Sequence, residues 1–146
     1  MKGDKMKKLI VMVVTAALIA GCAGNAAMMK KEMAANAIAG NVGRIVIYRP
    51  SAFAAGGAKN DILIDGELVT VLASGDIFYK DVKSGEYDIE AKNFTSPDQE
   101  IRVKLENKEV VYVKVYASMR TWWYGGWNIE QMKPARAINE IKALDE

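Results

Sequence analysis

The 146-residue chain has no histidine, a single cysteine and three prolines. Without histidine it lacks the commonest metal ligand and the commonest general base near neutral pH. With one thiol it can form neither an internal disulfide nor a cysteine-based metal centre. Serines occur at Ser51, Ser74, Ser84, Ser96 and Ser118, but none lies in a setting that supplies a lysine base. Of the usual catalytic groups carboxylates remain, and Asp61, Asp65, Glu67 and Asp76 come nearest to a cluster. These flank Gly66 and Gly75, where turn chemistry accounts for them; hydrolysis would require two of them to converge in one cleft. The composition therefore predicts a protein that is not an enzyme and holds no metal or dissociable cofactor.

A strong excess of either charge is also missing. The formal net charge of +2 comes from the extreme N-terminus, where Lys2, Lys5, Lys7 and Lys8 outnumber Asp4. The remainder holds 16 basic and 17 acidic residues, so no basic face for nucleic acid is expected. No apolar run reaches the roughly 20 residues that a bilayer-spanning helix needs. Leu9 to Ala20 is apolar apart from Thr15, and Gly21, Gly24 and Asn25 then interrupt it.

A lysine-rich start followed by a short apolar segment is the layout of an export signal. Its last residues, Ile19-Ala20-Gly21-Cys22, resemble a bacterial lipobox. That resemblance implies cleavage between Gly21 and Cys22, a diacylglycerol on the Cys22 thiol and an N-acyl chain such as palmitate on the new amine. Each buried methylene contributes about 0.8 kcal/mol and one chain alone anchors only marginally, so two or three chains would hold the protein permanently. Ala23, where an aspartate would favour the inner membrane, implies an outer-membrane anchor facing the periplasm of a diderm host. Met6 is an alternative start that leaves everything after Cys22 unchanged.

Residues 1–21 thus read as a lipoprotein signal peptide. Residues 22–42, rich in Ala and Met and without a clear apolar face, read as a lipidated, flexible or weakly helical tether. Residues 43–133 carry strand signals. Arg44 to Arg49 is a β-branched and aromatic run closed by Pro50. Asp65-Gly66 marks a hairpin between Ile62–Ile64 and Glu67–Leu72, and Ile77-Phe78-Tyr79 follows a turn at Ser74-Gly75. Period-two alternation then runs through Tyr87, Ile89 and Ala91, through Ile101, Val103 and Leu105, and through Val111, Val113 and Val115. The last three runs predict a three-stranded meander with one buried face. Seven or eight short strands with no helix between them predict an antiparallel β-sandwich. Residues 134–146 read as an amphipathic helix opened by Pro134, with Ala137, Ile138, Ile141 and Leu144 on its docking face.

Tyr48-Arg49-Pro50, the small-residue loop after it, Ile64-Asp65-Gly66 and Ser84-Gly85-Glu86-Tyr87 together resemble an uncharacterised family of bacterial lipoproteins, the domain of unknown function 2846 type. The likeness runs from about Gly43 to Tyr116. The same order of strand, Asp-Gly hairpin and glycine turn is similar to PEGA-type surface-layer domains. Both resemblances imply an immunoglobulin-like or prealbumin-like sandwich, and neither implies a catalytic residue.

All three tryptophans fall within six residues, Trp122, Trp123 and Trp127, beside Tyr124 and shortly after Arg120. Such a cluster is either an aromatic platform for sugars, membrane or a protein partner, or a plug over one end of the sandwich. The first function expected is therefore a lipid-anchored, non-enzymatic envelope module that binds a protein partner or reinforces an assembly. The alternative is recognition of peptidoglycan or lipopolysaccharide through Arg120, Trp122, Trp123, Tyr124 and Trp127.

Overall fold

The computed structural model describes residues 25–51, 57–118 and 126–145. In chain order the elements are α1 (Ala26–Ala35), β1 (Gly43–Tyr48), β2 (Asn60–Ile64), β3 (Glu67–Leu72), β4 (Ile77–Val82), β5 (Gly85–Asn93), β6 (Ser96–Leu105), β7 (Val110–Ser118), β8 (Gly126–Met132) and α2 (Pro134–Lys142). A short 3-10 turn, Ala143–Asp145, follows α2. The strands form two four-stranded sheets, ordered β4-β1-β7-β8 and β3-β2-β5-β6. The expected β-sandwich with a C-terminal helix is the architecture observed.

The hairpins follow from local chemistry. Asp65 and Gly66 both take positive φ, 49° and 78°, as a two-residue loop between right-twisted strands requires. They place Ile64 opposite Glu67. β5 and β6 pair antiparallel with Tyr87 opposite Val103 and Ile89 opposite Ile101.

The predicted meander is corrected. β7 does not continue from β6 in the same sheet but lies parallel to β1, with Arg44 opposite Val110 and Tyr48 opposite Lys114, and pairs on its other side with β8. The turn between β6 and β7 decides this. Lys108, at a φ of 62°, donates its backbone N–H to Val42 O at 2.7 Å, and Arg44 N–H reaches Glu109 O at 2.8 Å. The chain is thus captured by the start of β1 and crosses to the other sheet. Gly43 sits at this crossing, where a Cβ would lie 2.5 Å from Glu106 O, so only glycine lets the two backbones pass. Inward residues of β6 and β7 face one another across the sandwich, and their period-two alternation looks the same in either topology.

A second correction concerns residues 22–42. The helical alternative holds for Ala26–Ala35, but this stretch does not hang free: α1 packs against the outer face of the first sheet, with Ala26 buried and Met29 and Met33 resting on the same cluster. Its apolar stripe is a small one, diluted by alanine all round the helix, so no periodicity announces it. α2 docks on the same face through Ala137 and Ile141, both buried, and the 3-10 turn after it adds partly buried Leu144. Ile138, expected on that face, is 40% exposed.

The described residues therefore form two cores. One lies between the sheets around Ile45, Ile47, Ile62, Ile89, Val103 and Val113. The other lies between the first sheet and the helices around Val46, Tyr48, Ile77, Met132 and Ile141. β1 serves both, which is why all six of its residues are buried and why it reads as a continuous apolar run instead of alternating.

Candidate functional site

Two adjacent residues at the end of β1 reach in opposite directions. Arg49 enters the sandwich with 2% of its surface exposed. Its Nη1 donates to Ala58 O at 2.5 Å, Asn60 Oδ1 at 3.3 Å and Leu72 O at 3.3 Å. Its guanidinium lies over the Trp127 ring, 4.4 Å from the centroid. One side chain thus joins β1 of the first sheet to both ends of the β2–β3 hairpin and to β8. Burial pulls its pKa down and the charge of Asp76 opposes this; arginine stays protonated in either case.

Tyr48 points the other way, under α2. Its hydroxyl donates to Glu140 Oε2 at 2.8 Å. Lys114 Nζ approaches the same oxygen at 2.9 Å and Arg136 Nε donates to Oε1 at 3.1 Å. Burial pushes the Tyr48 phenol above its ordinary value, and the hydrogen bond to Glu140 and its charge add to this, so the hydroxyl remains a donor. Burial alone would raise Glu140, but the hydrogen bonds from Lys114 and Tyr48, with the nearby charges, outweigh it and hold the carboxyl below its ordinary value.

Arg44 fastens α1. It grips Asp81 through Nε at 2.6 Å and Nη2 at 2.9 Å, donates to the carbonyls of Met33 and Asn36 at 3.2 and 2.8 Å, and lies 4.6 Å from the Tyr79 ring centroid. The hydrogen bond to Arg44 holds Asp81 below the usual carboxylate range. Asp81 and Glu140 are both more acidic folded than unfolded, so their stabilisation is complete above the unfolded values and is lost as pH falls through the lower folded ones. Both fasten helices, so acid titration followed by hydrogen exchange should show α1 and α2 opening below about pH 4 before β5 and β6 do. Equal loss of protection everywhere would contradict this.

Asn25, just before α1, ties that helix to β4. Its side-chain Nδ2 donates to Ile77 O at 3.0 Å and its Oδ1 accepts from Ile77 N–H at 2.8 Å, so the amide pairs with β4 much as a neighbouring strand residue would. Its backbone N–H donates to Asp76 Oδ1 at 3.1 Å, while Asp76 Oδ2 accepts from Ala73 N–H at 2.9 Å. Asp76 O also accepts from Arg49 N–H at 3.0 Å.

The remaining sequence candidates separate clearly. Trp127, expected on an aromatic binding surface, is 4% exposed and belongs to the inter-sheet core. It faces inward because it lies on β8 beside Arg49, and this part of the platform is withdrawn. Arg120, Trp122, Trp123 and Tyr124, and the lipidation pair Gly21 and Cys22, lie outside the described residues. Asp65 and Asp76 are turn residues: Asp65 Oδ1 accepts from Asp88 N–H at 2.9 Å, and Asp76 is engaged as above. Asp61 lines a separate cleft of about 270 Å³ with Lys59, Lys92 and Asp98. Among the described residues no three His, Cys, Asp or Glu side chains gather as a metal site would require.

One concave feature was not foreseen. A groove of about 430 Å³ runs between α1 and α2, floored by Val46, Val110 and Tyr112 and walled by Met33, Ile138 and Ile141, with Lys30, Arg44 and Lys142 at its edges. Sequence reading missed it because α1 was not expected to dock.

The model of a family described as "Protein of unknown function (DUF2846)" matches residues 39–127. The chain belongs to the DUF2846 family. No curated protein matches it. The DUF2846 match contains both sheets up to the first residues of β8, including Arg49 and Trp127, and excludes α1 and α2. Within the DUF2846 region the Tyr48-Arg49 pair is therefore a structural joint, its polar atoms engaged in holding layers together.

Proposed function

We propose that the protein is a lipid-anchored envelope lipoprotein whose sandwich is a non-enzymatic structural or protein-interaction module, held at the outer membrane and facing the periplasm in a diderm host. The anchor is a diacylglycerol and an N-acyl chain on Cys22. The observation that carries the reading is the spacing between this cysteine, the only one in the chain, and Asn25, three residues later, whose side chain is bonded to Ile77 of β4. At no more than about 3.6 Å per residue, this docked residue would lie within about 11 Å of the lipid-bearing cysteine. The domain would then rest on the headgroups and not swing on a tether, and it would present its second sheet and exposed loops to a partner. The structural use of Tyr48 and Arg49 supports a scaffold in preference to a catalyst. Glycan recognition would now depend on residues 120–124 without Trp127, and it is the weaker reading.

Mass spectrometry of native material tests the anchor: a mature N-terminus at Cys22 carrying two or three acyl chains is expected, and an unacylated or uncleaved N-terminus refutes it. In-cell cross-linking tests the module. A discrete envelope adduct is expected, and recovery of monomer alone argues against a partner.

A further inference from the structure

We infer that the end of the sandwich to which Asn25 is tied faces the bilayer, and that Phe94, at the tip of the β5–β6 hairpin, inserts its ring among the lipids beside the Cys22 anchor. This deepens the reading above and rests on it, because the anchor decides which end meets the membrane.

A continuous series of contacts leads from the anchor's neighbour to this hairpin. Asn25, three residues after Cys22, bonds to Asp76 and Ile77 at the start of β4. Asp76 O accepts from Arg49 N–H at 3.0 Å, and the Arg49 side chain reaches Ala58 O, Asn60 Oδ1 and Leu72 O of the second sheet. Between Ala58 and Asn60, Lys59 O accepts from Asn93 Nδ2 at 2.8 Å. Asn93 closes β5 opposite Ser96 of β6, so only Phe94 and Thr95 extend beyond the last pair. Asn25 and Phe94 thus share one end of the sandwich. The turns Asp65-Gly66, Lys83-Ser84 and Asn107-Lys108 lie at the opposite end.

The Phe94 ring is presented outward by a fixed turn. It is 99% exposed and belongs to neither core. Its neighbours do the local bonding: Asn93 Oδ1 accepts from the Thr95 N–H at 2.9 Å and from the Thr95 hydroxyl, as in an Asx turn. Phe94 adds nothing to that turn except an apolar ring held in water, whereas the turns at the far end are polar. A bilayer against this end takes the ring out of water, which is favourable. Lys59, Asp61, Lys92 and Asp98 stand beside Phe94 and limit entry to the hairpin tip, since charged groups are costly in the hydrocarbon. Two other accounts make different forecasts. A merely solvated tip, as single apolar side chains on surfaces often are, predicts no lipid contact, and an anchor for a protein partner predicts a protein contact.

The first test places the photocrosslinker benzoylphenylalanine at position 94 of the full chain in native membranes, with the same group at position 108 as the far-end control. Adducts of phospholipid mass are expected at 94 and not at 108. Protein adducts alone at 94, no adduct there, or equal lipid adducts at both positions would overturn the inference. Acylation of Cys22 is read by mass spectrometry on the same sample. Acylated protein without lipid adducts at 94 overturns this inference and leaves the anchor standing, whereas unacylated protein refutes both. The second test uses the acylated chain in vesicles of phosphatidylethanolamine and phosphatidylglycerol, with a nitroxide on Thr95→Cys or Asn107→Cys, in each case the only free thiol. The label at 95 should be shielded from an aqueous nickel chelate and the label at 107 should not. Phe94→Asp, at an exposed position and therefore safe for folding, should abolish the shielding. Shielding that survives Phe94→Asp would overturn the role of the ring.

Discussion

Arg49→Ala is expected to lower the unfolding free energy by about 3–5 kcal/mol, through buried acceptors left unpaired and a large buried side chain removed. The substitution strands Ala58 O, Leu72 O and Asn60 Oδ1, at roughly 1–3 kcal/mol for each group left dry, and opens a void under Trp127. Water entering the void would relieve part of this, which is why the total falls below the sum. Against a typical stability of about 5–15 kcal/mol the loss is large, and the melting temperature should drop by about 10–20 °C. Arg49→Met separates the two causes: it refills much of the space but leaves the acceptors stranded. If hydrogen bonding dominates, Met recovers less than half of the loss in urea titrations followed by circular dichroism. A stability of Arg49→Ala within about 0.5 kcal/mol of the parent, the scale of a neutral surface change, would refute the assignment of Arg49 as the joint.

Tyr48 offers the second large effect, on the other side of the same strand. Tyr48→Ala should cost about 3–5 kcal/mol, as for other buried aromatics, because its ring is fully buried beneath α2. Tyr48→Phe removes only the hydroxyl. Glu140 keeps Lys114 and Arg136, so the cost should be close to 1 kcal/mol. Its value lies in where the effect appears: amides of α2 should lose hydrogen-exchange protection while those of β5 and β6, in the other core, change little. Uniform loss across both cores would show that the helical layer is not separable from the sandwich.

These two side chains illustrate what pattern reading can and cannot reach. The Arg44 to Arg49 run was legible as a strand, and Pro50 as its end, because β-branching and a missing donor act locally. That Arg49 would be buried was not legible, since arginine is rarely buried without partners, and its partners here come from Ala58, Asn60, Leu72 and Trp127 on separate segments. Trp127 shows the same limit. A cluster of aromatics has no facing until its strand is paired, and pairing of β8 with β7 places Ala117 opposite Trp127 and turns the ring inward. The groove was invisible for a different reason: Ala and Met in residues 26–35 mark no strong stripe, so the helix owes its place to Asn25 and to Arg44, which both lie outside it.

By itself, then, the sequence determined the strands, the Asp65-Gly66 hairpin, the proline-led final helix, the membership of a β-sandwich class and the exclusion of histidine and disulfide chemistry, because each depends on dihedral preference, side-chain alternation or the bare presence of an atom. Tertiary structure alone decided that β7 joins β1 in parallel, that residues 26–35 pack as a second layer, and that Tyr48 and Arg49 serve opposite cores. Those outcomes depend on contacts between segments far apart in the chain, and period-two alternation is identical whichever sheet a strand finally enters.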